Sequence, residues 1–209
     1  MADYGMAIKR PFQDVKKLII GCFLNIIPIV NLIATGYVLK AAKNTLNKKN
    51  ELPEWEDWSN LFISGLSAAV VGLIYALPGL VVLFAGVGTL ISGIIMGTVA
   101  ATDMASVIAS GGGILIVALL LLLVAAFIAP MAIIRYVDKG EFSAAFAFGE
   151  ITKKVFTGAY IGAWLIMMVY GLIVVSVLSL VPIAGPAIGG FIIAISSTTV
   201  FAQVYAEKH

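Results

Sequence analysis

Long apolar runs separated by short charged islands set the pattern of this chain. No charged residue falls between Leu61 and Thr102, between Met104 and Ile134, or between Val155 and Ala206. A helix needs about 20 apolar residues to cross a bilayer, so each run has room for one or two crossings. Four spans are predicted: Leu61–Phe84, with Tyr75 and Pro78-Gly79 marking a kink or its far end; Ile114–Ile134, kinked at Pro130; Phe156–Leu180; and Ile183–Tyr205. The last two are joined by the tight turn Val181-Pro182-Ile183-Ala184-Gly185-Pro186. Ala85–Gly113 is ambiguous. It is apolar up to Ala101, then Asp103, Ser106, Ser110 and three glycines read as a loop. It either enters the membrane as a further short helix or lies at the outer surface.

Leu18–Leu39 is apolar but contains Asn25, Pro28, Asn31, Thr35 and Gly36. Lys9, Arg10, Lys16 and Lys17 precede it, and Lys40, Lys43, Lys48 and Lys49 follow it. Positive charge gathers on the cytoplasmic side, which favours a re-entrant hairpin turning at Ile27–Asn31 over a single span kinked at Pro28. The expected architecture is an all-α polytopic membrane protein, one integral domain over 1–209, with four spans plus the hairpin; six spans are the alternative. Short amphipathic surface helices are expected within 1–17 and 135–154, where Phe142, Ala145, Phe146 and Ile151 form an apolar face. The N-terminus and the loops bearing Lys9, Lys48, Lys139 and Lys208 are placed in the cytoplasm.

Leu52-Pro53-Glu54-Trp55-Glu56-Asp57-Trp58 is the only densely acidic, Trp-bearing segment. Asn50 suits a helix cap and Pro53 a first turn, and a helix running into Leu61 would align Trp55, Trp58 and Phe62. Trp55 and Trp58 are therefore expected as anchors at the membrane interface. The chain also echoes itself: Leu24–Val30 lies over Leu178–Ala184 without gaps, each preceded by a lysine pair, Lys16-Lys17 and Lys153-Lys154. The echo predicts two parallel units of surface helix, ascending helix, Pro-Ile turn and descending helix. Gly158 and Gly162, four apart, are expected to let two helix backbones approach.

Composition agrees: 61% hydrophobic, 11% charged and a mean hydropathy of +1.08 in 209 residues exclude a soluble domain. Cys22 is the single cysteine, so no internal disulfide forms. The one histidine is the terminal His209, which leaves no Ser–His, Cys–His or His-rich metal arrangement. Glu54, Glu56 and Asp57 read as a solvated acidic face rather than a cation site. No enzyme, cofactor, metal or nucleic-acid partner is expected. The polar residues inside the apolar segments are the remaining candidates. Ser196, Thr199 and Gln203 share a face of the last helix, and Asn25, Asn31 and Thr35 lie in the first hairpin. They either pack helices together or line a polar path or pocket where the two Pro-turn hairpins meet. The expected function is a small-solute channel or transporter-like component; the alternative is a non-catalytic scaffold or lipid-organising protein. Expected partners are membrane lipids, with a homo-oligomer or other membrane proteins possible.

Gly36-Tyr37, Leu52-Pro53-Glu54-Trp55, Asp57-Trp58, Leu61-Phe62 and Gly65-Leu66 resemble an archaeal family of integral membrane proteins known as a domain of unknown function. Arg10-Pro11-Phe12, Ile27–Asn31 and the Pro130 helix extend the resemblance over nearly the whole chain. It implies a multi-pass protein of an archaeal membrane and attaches no activity or ligand.

Overall fold

The computed structural model describes residues 2–98, 103–182 and 184–207. Ile183 of the expected turn, Lys208, His209 and residues 99–102 of the ambiguous segment lie outside them. Every regular element among the described residues is a helix, with no strand. In order come α1 (Tyr4–Lys9), a 3-10 turn (Arg10–Phe12), α2 (Val15–Ile26), α3 (Asn31–Leu46), α4 (Trp58–Ile95), α5 (Met104–Val107), a π turn (Ile108–Gly112), α6 (Gly113–Lys139), a 3-10 turn (Phe142–Phe146), α7 (Phe148–Val155), α8 (Gly158–Leu178) and α9 (Ala184–Ala206). Among the described residues α4, α6, α8 and α9 are long and apolar enough to cross a membrane. This is a polytopic helical membrane protein.

Local chemistry sets the boundaries. Asp3, Asp14 and Thr157 each accept a backbone N–H two to three residues into α1, α2 and α8. Gly140, at φ +73°, ends α6 by turning its N–H back to the Tyr136 carbonyl. Both halves of the sequence echo have the same order: a surface helix, then a helix–turn–helix hairpin. The first hairpin folds back on itself, because Arg10, just before α2, bonds to Ala41 and Thr45 near the end of α3. Neither α2, with 12 residues, nor α3, with 16, counts among the four long helices. The hairpin tip places Ile29 at φ +71°, a strained conformation for a β-branched residue.

Four expectations are corrected. The helix expected from Asn50 is absent, and residues 51–57 are irregular, with bends at Glu51 and Trp55. The carbonyls of Glu51, Leu52 and Pro53 instead accept side chains: Arg10 and Asn44 on the first, Lys17 on the second, Tyr37 on the third. A helix would have used those carbonyls internally. The apolar part of Ala85–Gly113 is no separate element up to Ile95; it continues α4, a helix of 38 residues and about 57 Å. α6 likewise runs past Ile134 to Lys139. Finally, a side chain on Gly158 or Gly162 would meet nothing within 4 Å, so neither makes the expected close contact.

The close contacts are elsewhere. A Cβ on Gly36 would lie 1.8 Å from the Leu61 carbonyl, and one on Gly65 1.8 Å from that of Leu32, so α3 and the start of α4 touch backbone to backbone. Two compact units emerge, which the uniform hydropathy does not reveal: Met1–Val71 with Pro130–His209, and Gly72–Ala129. In the first, α9 is the centre and packs against α8, α3, α2 and α1. Its core joins Tyr37, Val38, Leu52, Leu61, Phe191 and Ile195. The second is an antiparallel helix pair in which Gly79 faces Leu122, Gly86 faces Ile114 and Gly111 faces Leu90.

Candidate functional site

The irregular segment 51–57 acts as a clasp across the open end of the first hairpin. Its anchor is Trp55, which stacks on Tyr37 with ring centroids 3.8 Å apart and donates its indole N–H to the Lys17 carbonyl. Trp58 follows at 5.8 Å from Trp55, on α4, and is 45% exposed. The Trp55 ring therefore packs within the protein, while that of Trp58 faces outward. Glu54 pairs with Lys17 and Glu56 with Lys40, which ties the clasp to both arms of the hairpin.

The polar residues foreseen on α9 do not line one path with those of the hairpin. Thr199 accepts from the Arg10 guanidinium at 2.8 Å and donates to the Ile195 carbonyl. Gln203 accepts the backbone N–H of Asp3. Both hold the N-terminal segment against α9. Arg10 is fully buried, also reaching Thr45 and the carbonyls of Ala41 and Glu51, and among the described residues no carboxylate pairs with it. Burial pulls its guanidinium below the usual arginine range, with Tyr37 acting in the opposite sense. Ser196 is fully buried, and among the described residues its hydroxyl has no partner. Asn31 opens α3, and its carbonyl accepts the Thr35 hydroxyl.

Asn25 and Thr35 are brought together, in a cleft of about 160 Å³ between the two hairpins, α4 and α6. Its walls are mostly apolar: Ala34, Val38, Leu39, Ala68, Ile133, Phe191 and Ala194, with Thr198 completing the polar set. Asn25 donates to the Ala187 carbonyl at 2.7 Å and Thr198 to that of Ala194, so each already makes an internal hydrogen bond. A second cleft, of about 280 Å³, lies between α3, the start of α4 and the end of α6. It gathers the charged side chains Lys40, Lys43, Glu56 and Asp57 with Asn60, Ser64 and Tyr136, set on walls whose exposed surface is still mostly apolar, Leu61 and Val137 among them. Leu39, 5% exposed, lines both clefts and forms the wall they share.

Sequence reasoning missed this outer cleft. Its signal was present as spacing: Asn60 and Ser64 fall four apart on α4, three and seven residues after Asp57, and Lys40 and Lys43 three apart on α3. Among the described residues no three His, Cys, Asp or Glu side chains gather as metal ligands. No curated protein and no solved structure matches the chain. A family model described as a protein of unknown function, DUF4013, matches residues 20–183, a stretch that holds the clasp, the whole outer cleft and most of the inner one. With well over half of its length inside that match, the chain belongs to the DUF4013 family.

Proposed function

We propose that the protein is a non-catalytic integral component of the cell membrane, archaeal by the resemblance of its motifs, that holds a lipid-like amphiphile in the two-part cleft. The observation that carries this reading is the shared wall at Leu39: a cleft that gathers four charged side chains and an apolar cleft with none meet at one side chain. An amphiphile matches that polarity, with its head in the first and its chain in the second. The inner cleft is mostly apolar and Asn25, Thr35 and Thr198 each spend a donor within the protein, which favours a hydrocarbon chain there over a hydrated solute.

The α2–α3 hairpin is re-entrant in this reading. Val15, Ile19 and Phe23, four apart on the outer face of α2, are 63%, 62% and 64% exposed, a stripe that suits lipid and not water. The N-terminus and basic loops then face the cytoplasm, and Trp58 sits at the interface. Single cysteines at positions 9, 48 and 139, in a Cys22→Ser background, are expected to label from the same side. Labelling of 9 and 48 from opposite sides would make the hairpin a full crossing.

Filling the junction tests the cleft itself. Leu39→Trp is expected to strip co-purifying lipid from the detergent-extracted protein, read by mass spectrometry, while its melting profile stays cooperative. Lipid content equal to wild type would sink the reading. A small-solute path is the second reading, favoured by the same junction; it requires Leu39→Ala to raise solute flux into liposomes.

A further inference from the structure

The charges of the outer cleft are not equivalent, and their differences select a headgroup. Lys43 donates to the carbonyls of Val137 and Asp138 at 3.0 and 2.8 Å, so its charge answers the C-terminal end of α6. Lys40 pairs with Glu56 at 3.0 Å at the cleft edge, where both remain part-exposed and open to exchange of partners. Asp57 is bonded by the neutral Asn60 amide, and among the described residues no cation pairs with it. Ser64 and Tyr136 add hydroxyls that both donate and accept. The cleft thus offers one ammonium that can reach a phosphate and one carboxylate lacking a cationic partner.

We propose that this cleft binds the headgroup of an ethanolamine phospholipid, its ammonium on Asp57 and its phosphate on Lys40, with a hydrocarbon chain passing Leu39. This rests on the amphiphile reading above and adds the headgroup class. A primary ammonium brings three N–H donors and a full charge to Asp57. A choline headgroup carries the charge without a donor. A glycerol headgroup brings the phosphate's negative charge near Asp57 with no cation to balance it.

The backbone supplies a clean variant. Asp57 sits at φ +56°, a left-handed conformation that asparagine also accepts. Asp57→Asn therefore removes the charge and keeps the turn into α4. The test compares ethanolamine, choline and glycerol phospholipids with identical acyl chains, added to delipidated protein in detergent, by the shift in melting temperature. Ethanolamine lipid is expected to give the largest upward shift, Asp57→Asn to lose that advantage, and Lys40→Met to weaken the shift from all three. An equal or larger shift with glycerol lipid, or an ethanolamine preference surviving in Asp57→Asn, overturns the headgroup assignment. If Leu39→Trp still abolishes every shift, the amphiphile reading stands without it. If no lipid moves the melting temperature of wild type or Leu39→Trp, both fall together.

Discussion

α9 and α6 are both long enough to cross a membrane, yet they meet opposite surroundings. In its most apolar stretch α9 is 56% buried by protein, and α6 is 17% buried. α6 carries the run Leu119–Leu123, whereas α9 mixes glycines, serines and threonines with its aliphatic residues. Lipid is as apolar as leucine, so a leucine-rich surface gains little by leaving lipid for a protein neighbour. Small and polar residues do gain, because they permit close approach and hydrogen bonds. The less apolar helix is therefore the central one.

Substitutions that read burial against hydropathy sharpen this contrast. The largest effect is expected at Phe191, which fills the space against Gly21 and lies in the core beside Tyr37. Phe191→Ala should destabilise the detergent-solubilised protein by about 3–5 kcal/mol, seen as an early melting transition. Next is Thr199→Val, nearly isosteric, which takes one acceptor from the buried Arg10 guanidinium. A hydrogen bond to a charged group contributes about 1.5–3 kcal/mol, and chemical denaturation should show a loss in that range. Smallest is Leu119→Ala on α6, where the side chain is 61% exposed. There the melting temperature should stay near wild type, a change under about 0.5 kcal/mol. A large loss at Leu119 with little at Phe191 would reverse the assignment of core and lipid faces.

The long helices were legible because hydropathy and length are written locally. Leu61–Phe84 and Ile114–Ile134 fall inside α4 and α6, and the other two spans nearly coincide with α8 and α9. The clasp was misread because Asn50 and Pro53 carry helix-start propensity, while three carbonyls that a helix would have used are claimed by Arg10, Lys17 and Tyr37, 16 to 41 residues away. The glycines failed for the same reason. Gly158 and Gly162 have the right spacing and no neighbour, whereas Gly36 and Gly65 meet backbone that only the tertiary fold brings near. Of the site, Asn25 and Thr35 were found as polar residues in oil. Leu39 was not, since one leucine among many acquires its role only by standing between two clefts.

The position of α9 in the chain bears on how the protein is made. Asp3 bonds to Gln203 across 200 residues and Arg10 to Thr199 across 189. During synthesis the N-terminal segment and first hairpin leave the ribosome long before their principal packing partner exists. Through that interval the Arg10 guanidinium lacks its Thr199 acceptor, and the α2–α3 hairpin has only its own turn, the clasp and surrounding lipid to hold it. Contacts so distant in sequence form late and slowly. Completion of the first compact unit thus waits for α9 to be synthesised, and a nascent protein halted before it would present Asp3 and Arg10 unlatched to the insertion machinery.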